Sequence, residues 1–138
     1  AGKELITGTR LFSESTRVLV DAMSAAGVKR LVAVTGIGAG DSRGRGGLLY
    51  DALLFPVFLK RIYDDKDVQE RIIRSSGLDW TIARPGILVD SPVRGSVRAL
   101  TDPATWRASP VARADVAQFL VREVVERKFL RETPLLIA

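Results

Sequence analysis

The chain has 138 residues, 46% hydrophobic and 27% charged, a composition typical of one soluble globular domain with a sizeable core. It contains neither cysteine nor histidine, which excludes disulfides, the usual zinc sites and catalysis by a Ser-His or Cys-His pair. Lysine and arginine outnumber aspartate and glutamate by 21 to 16, but they are spread along the chain without interleaved aromatic residues. Solvated surface charge is therefore favoured over a nucleic-acid interface. No stretch reaches the roughly 20 apolar residues of a membrane span, and with no cysteine present a cytoplasmic protein without a membrane partner is expected.

The first predicted elements are a helix and a buried strand. Residues 5–7 could end a short strand before the loop Gly8-Thr9-Arg10. Apolar residues then recur at helical spacing over residues 18–26, with Gly27 as a C-terminal stop. Residues 31–34 are apolar without alternation, which is typical of a strand buried on both faces.

A glycine-rich segment follows this strand. Gly36, Gly38 and Gly40 come close to the dinucleotide fingerprint G-x-G-x-x-G, but Asp41 stands where the third glycine should fall. No helix begins directly behind the glycines, so this segment is not predicted to hold a pyrophosphate. Two alternatives stay open: either the Thr35 hydroxyl and its neighbouring amides bind a ligand, or the glycines only turn the chain.

The rest of the chain continues the alternation of helices and strands. Residues 48–59 are apolar nearly all round, which suits a buried helix or a partner surface. Further helices are predicted over residues 64–76 and 113–126, and further strands over residues 80–83, 87–89, 95–100 and 135–137. This order predicts one α/β domain over residues 1–138, a Rossmann-like parallel sheet with helices on both faces. Any ligand is expected at the carboxyl ends of the strands, where both glycine-containing loops lie.

Lys66 is the one candidate for a charged ligand contact near these loops. It could hold a ribose hydroxyl or lower the pKa of the nearby Tyr63 phenol, but spacing alone favours an exposed lysine on the polar face of its helix. Asp64 and Asp65 are adjacent, so they point in different directions, and complementing the helix dipole explains them better than acid-base catalysis does.

In combination, these residues resemble the atypical short-chain dehydrogenase/reductases, the group that includes NAD(P)H-binding NmrA-like proteins and flavin/biliverdin-IXβ reductases. The resemblance rests on Gly8-Thr9-Arg10, residues 31–40, Lys66 with Glu70, residues 76–86 and residues 114–117. It implies a Rossmann-like domain that binds NADP or NAD, with NADP slightly favoured, and no metal.

The resemblance also implies where the cofactor lies. Gly8, Thr9 and Arg10 correspond to the loop on the adenosine side. Thr35 and Gly36 correspond to the turn beside the nicotinamide ribose, and Lys66 to the lysine that reaches this ribose, which makes Lys66 and Thr35 the catalytic candidates. The wall beside the nicotinamide would consist of Pro85, Gly86, Ile87 and Leu88.

Two departures from the family pattern affect these expectations. The family's Tyr-x-x-x-Lys is one residue shorter here, since Ile62 stands at the expected tyrosine position, so proton delivery by a tyrosine is not expected. The strand and G-x-x-G-x-x-G phosphate loop with which such proteins begin are not found before Gly8, so the fold is expected to be incomplete at its N-terminus.

Two functions follow from the resemblance. The first is an NAD(P)H-dependent oxidoreductase that transfers hydride to a small-molecule acceptor. The alternative is a non-catalytic dinucleotide-sensing or protein-interaction module. A homo-oligomer could form through residues 48–59 or through an open sheet edge.

Overall fold

A four-stranded sheet carries the fold in the computed structural model, which describes residues 10–42 and 60–138. The helices are α1 (Leu11–Ala25), α2 (Lys60–Ser75) and α3 (Arg113–Glu126). The strands are β1 (Arg30–Val34), β2 (Asp79–Pro85), β3 (Ile87–Val89), β4 (Arg98–Leu100), β5 (Pro110–Ala112) and β6 (Leu135–Ile137).

The main sheet has the strand order β1-β2-β6-β4. Strands β1, β2 and β6 run parallel, with Leu31 opposite Trp80 and Val34 opposite Ala83, whereas β4 is antiparallel to β6. Strands β3 and β5 form a separate parallel pair. The predicted α/β class is thus confirmed. Strand β3 has its predicted bounds and β4 is shorter than the predicted 95–100, whereas the antiparallel direction of β4, strand β5 and the separate pairing of β3 with β5 were not predicted. Strands of three residues carry almost no periodicity.

Helices cover both faces of the sheet because successive side chains of β2 point to opposite sides. On one face, Trp80 and Ile82 belong to a core cluster with residues of α1, β1 and α2, namely Val20, Leu31 and Ile73, and with Leu78 just before β2. On the other face, Ala83 packs with residues of β5, α3 and β6, namely Val111, Val116, Phe119 and Leu136. This arrangement confirms the predicted covering of both faces.

The helix boundaries differ from expectation at two N-termini. Helix α1 begins at Leu11 without a side-chain cap from its N-cap residue Arg10, and its apolar Val18 and Leu19 are exposed. Helix α2 begins at Lys60, so that Tyr63 lies inside the helix and on the same side as Lys66, three residues later. Helix α3 and strand β6 have the predicted bounds.

Strand β1 lies at one end of the main sheet, and within the described residues it has a neighbouring strand on one side only. The apolar segment 48–59, for which a buried helix or a partner surface was expected, lies outside the described residues. No helix in the described part of the chain is long and apolar enough to cross a membrane.

Candidate functional site

The carboxyl ends of β1 and β2 meet at one edge of the sheet. The ladder between them continues past β1: the Thr35 amide donates to the Ala83 carbonyl at 3.0 Å, and the Ile37 amide donates to the Pro85 carbonyl at 2.9 Å. The turn at Thr35 and Gly36 therefore lies beside Pro85, as expected for parallel neighbouring strands. Both glycine-containing loops belong to one region of the molecule.

Lys66 of α2 lies against this turn. Its ammonium nitrogen donates a hydrogen bond to the Thr35 carbonyl oxygen at 2.5 Å. It also lies 5.0 Å from the centroid of the Phe12 ring and 5.7 Å from that of the Tyr63 ring, within the range of cation–π attraction. Lys66 is half-buried, so the alternative of an exposed surface lysine is wrong.

Burial gives Lys66 a pH-dependent effect on stability. It lowers the pKa of the ammonium below 10.5, and attraction to the Glu70 carboxylate offsets this in part. Between the lowered pKa and 10.5, the unfolded chain binds one proton more than the folded chain at this residue, so stability rises with pH in that window. We expect the free energy of unfolding of the wild type, relative to Lys66→Met, to increase from neutral to alkaline pH. Urea denaturation at a series of pH values measures this difference, and a constant or falling difference would contradict the assignment.

Thr35 connects Glu70 and Lys66 through its own hydrogen bonds. It is buried, and its hydroxyl donates to Glu70 Oε1 at 2.8 Å while its carbonyl accepts from Lys66. A hydroxyl has one proton to donate, so towards any other group the Thr35 oxygen can only accept. The direct contact between Thr35 and a ligand stays a prediction.

A buried ion pair lies beneath the turn. Arg84, at the end of β2, has a side chain that is 0% exposed and donates to both oxygens of Glu70, from Nε at 3.0 Å and from Nη2 at 2.6 Å. Burial lowers the pKa of the Arg84 guanidinium, but hydrogen bonds and attraction to Glu70, and then the close contact with Asp41, outweigh burial and raise this pKa above its ordinary value. No pattern in the sequence predicted this pairing of Arg84 with Glu70.

Two glycines allow close approaches at this edge of the sheet. Gly36 has a φ of +149°, and a Cβ atom there would lie 3.2 Å from the Tyr63 phenol oxygen. The phenol is thus brought to the turn by its position three residues before Lys66 on one helical face. A Cβ atom on Gly86 would collide with the carbonyl oxygen of Ser109, so only glycine lets β3 begin this close to that backbone.

The predicted nicotinamide wall lies where β2 passes into β3. Pro85 is buried and Gly86 half-buried, while Ile87 and Leu88 are 38% and 40% exposed. The structure therefore brings Thr35, Lys66 and this wall to one edge of the sheet, and it leaves apolar side chains accessible there.

The predicted adenosine-side loop is described only in part, since Gly8 and Thr9 lie outside the described residues. Arg10 is the exposed N-cap residue of α1. The first turn of α1 is bound by Asp65, whose Oδ2 accepts from the amides of Phe12 at 2.8 Å and Ser13 at 3.4 Å. The expected role of Asp65 at its own helix dipole is wrong: it is buried and satisfies the N-terminus of the other helix.

Comparison with known proteins gives these residues a family. A family model described as NAD(P)H-binding matches residues 3–127. The chain belongs to this NAD(P)H-binding family. The match includes both strand ends, Lys66 and the Glu70–Arg84 pair.

The relatives and structural neighbours of this chain are longer than the chain itself. A Bacillus subtilis (strain 168) protein described as an uncharacterized sugar epimerase is 30% identical over 108 residues, which are 78% of this chain and 44% of that protein. The anaerobilin reductase ChuY from Escherichia coli O157:H7 is 25% identical, with a TM-score of 0.80 over 94% of this chain and 60% of its own. A short-chain dehydrogenase/reductase from Veillonella parvula DSM 2008, solved in complex with NADP, shares the fold at 18% identity and a TM-score of 0.75, over 91% of this chain and 58% of its own. The resemblance to atypical short-chain dehydrogenase/reductases is confirmed. The chain spans less than half the length of the Bacillus subtilis relative.

The described residues fit one part of a dinucleotide. An ammonium group has three N–H donors, and among the residues that the structure describes Lys66 uses one of them, on Thr35, so that two can serve the hydroxyls of a ribose. The accessible side chains of Ile87 and Leu88 offer apolar contact area for a flat ring beside this turn. Within residues 10–42 and 60–138, no cluster of three or more acidic side chains could hold a metal ion.

Proposed function

We propose that this protein is an NAD(P)H-dependent oxidoreductase that transfers hydride to a small acceptor. The observation that carries the proposal is the half-buried Lys66 ammonium, fixed on the Thr35 carbonyl at the carboxyl ends of two parallel strands. Membership of the NAD(P)H-binding family supports it. NADP is slightly favoured as the cofactor, because a net charge of +5 suits an additional phosphate.

The proposed role of the protein is to orient its ligands. Lys66 would donate to the ribose hydroxyls beside the nicotinamide, and the backbone from Pro85 to Leu88 would form a wall along the ring. A bound nicotinamide supplies the hydride, whereas the chain supplies position and charge. Thr35 would act mainly by fixing Lys66, since its hydroxyl proton is already donated to Glu70.

The proposed acceptor is a flat, largely apolar molecule such as a flavin or a quinone. The exposed side chains of Ile87 and Leu88 support this choice, because they offer apolar contact area beside the proposed ring position. One structural neighbour is a reductase of anaerobilin. Histidine is absent from the chain, so the acceptor must obtain its proton from water, from its own acidic groups or from another side chain.

Steady-state oxidation of NADPH with flavin and quinone acceptors tests the proposal. We expect turnover that saturates in NADPH and in at least one acceptor. Saturable binding of NADPH without turnover of any acceptor would favour the non-catalytic dinucleotide-sensing module instead. Absence of both binding and turnover would contradict the oxidoreductase and the dinucleotide sensor, and would favour the protein-interaction module.

A further inference from the structure

A series of contacts connects an exposed side chain to Lys66. Asp41, in the single-turn 3-10 helix Gly40–Ser42, is 59% exposed, and its Oδ1 lies 2.6 Å from Arg84 Nη1. Arg84 in turn holds both oxygens of Glu70. Glu70 accepts from the Thr35 hydroxyl, and the Thr35 carbonyl accepts from Lys66. One of the five groups is thus open to solvent, while the other end of the series lies in the proposed site.

Asp41 supplies the negative charge beside Arg84 Nη1, the nitrogen of the buried guanidinium that does not bind Glu70. Arg84 Nη1 is buried, and within the described residues it has no aligned hydrogen bond, so its partner is the close ion pair with Asp41. Burial raises the pKa of the Asp41 carboxyl, but the close contact with Arg84, attraction to Arg74 and a backbone hydrogen bond together outweigh burial and lower this pKa below 3.8. Without Asp41, a buried nitrogen would lose its anion, and the guanidinium would be drawn towards the remaining carboxylate of Glu70.

The backbone turn at Gly40 fixes the position of Asp41. The Gly40 amide donates to Asp67 Oδ1 at 2.5 Å, which ties the turn to α2. Gly40 has a φ of +55°, and a Cβ atom there would lie 2.5 Å from Glu70 Oε2 and 2.6 Å from Arg84 Nη2. The turn therefore rests directly on the ion pair, and only glycine fits at this contact.

We propose that Asp41 is a positioning residue, which holds Arg84 and Glu70 in place and thereby orients the Thr35 carbonyl that carries Lys66. Asp41 does not contact Lys66 itself. Its effect on dinucleotide binding rests on the proposed function, whereas its effect on Thr35 does not. The two effects are therefore measured separately.

The effect on Thr35 is measured by NMR in the unliganded protein. We expect Asp41→Asn to shift the methyl and amide signals of Thr35, and Asp41→Glu to bring them back towards the wild type. Asp90→Asn is the matched control, because Asp90 is an 89% exposed carboxylate that lies 2.8 Å from Arg113 in a similar ion pair elsewhere. Unchanged Thr35 signals in Asp41→Asn, or equal shifts in Asp90→Asn, would overturn the proposal.

The effect on binding is measured by titration with NADPH. We expect Asp41→Asn to raise the Kd about fivefold, and to have no further effect when Lys66→Met is already present, since the two residues act through one series of contacts. Full additivity of the two substitutions would overturn the positioning role. If the wild type failed to bind NADPH, the proposed function would fail, and the NMR comparison would still decide the role of Asp41.

Discussion

Arg84→Met is expected to lower the free energy of unfolding by about 3–5 kcal/mol. Arg84 is fully buried, and its partner Glu70 is 2% exposed, so the substitution would leave a buried carboxylate without its close partner, with only the half-exposed Arg74 at 3.8 Å. The cost of such an unpaired buried charge exceeds the contribution of the methylenes that methionine retains. Urea denaturation followed by circular dichroism measures the change.

Two further variants separate charge from packing in this prediction. Arg113→Met removes an exposed partner of Asp90, and we expect a change of about 0–1 kcal/mol. Arg84→Met combined with Glu70→Gln removes both charges and retains an acceptor for the Thr35 hydroxyl, so it should recover part of the lost stability. If Arg84→Met unfolded at the same urea concentration as Arg113→Met, the Glu70–Arg84 pair would not hold this edge of the sheet.

Lys66→Met is expected to lower kcat/KM for NADPH about 10- to 100-fold. Hydrogen bonds from a charged group contribute about 1.5–3 kcal/mol, which corresponds to this range. Methionine keeps the length and the apolar stem of lysine, so the packing of Lys66 between Phe12 and Tyr63 should be retained. Steady-state kinetics at fixed saturating acceptor measures the change.

Lys29→Met is the matched control for this substitution. Lys29 is an exposed lysine just before β1, and replacing it removes the same charge from the protein at a distance from the site. We expect its kcat/KM to stay close to that of the wild type. Equal effects of the two substitutions would point to net charge, and an unchanged kcat/KM in Lys66→Met would remove Lys66 from the mechanism.

The fold was predictable where the sequence carries a strong period. Helix α3 and strand β6 have their predicted bounds, since their apolar residues recur at helical spacing or form a short buried run. The antiparallel direction of β4 was not predicted, because the sequence of a three-residue strand does not indicate whether it runs parallel or antiparallel to its neighbour. Val18 and Leu19 are exposed because the side of α1 that packs inward is set by α2 and the sheet, and includes the polar Ser13 and Thr16.

The candidate site was predictable only through the family resemblance. Spacing alone favoured an exposed position for Lys66, because the contacts that fix it come from Phe12, 54 positions earlier in the chain, and from Thr35, 31 positions earlier. The ion pair of Glu70 with Arg84 was missed for the same physical reason, since residues 14 positions apart meet only once α2 has packed on β2. The role of Asp65 at the N-terminus of α1 likewise depends on the contact between two helices. Local sequence patterns predict helices and strands, whereas the candidate site consists of contacts between residues far apart in the sequence.

A fluorescence titration of the protein with NADPH is the most direct test of the central claim, with Lys66→Met and Lys29→Met measured beside the wild type. We expect saturable binding to the wild type and to Lys29→Met, and binding to Lys66→Met that is weaker by about tenfold or more. Absence of saturable binding to the wild type, or equal affinities of all three proteins, would contradict the assignment of a dinucleotide site at the ends of β1 and β2.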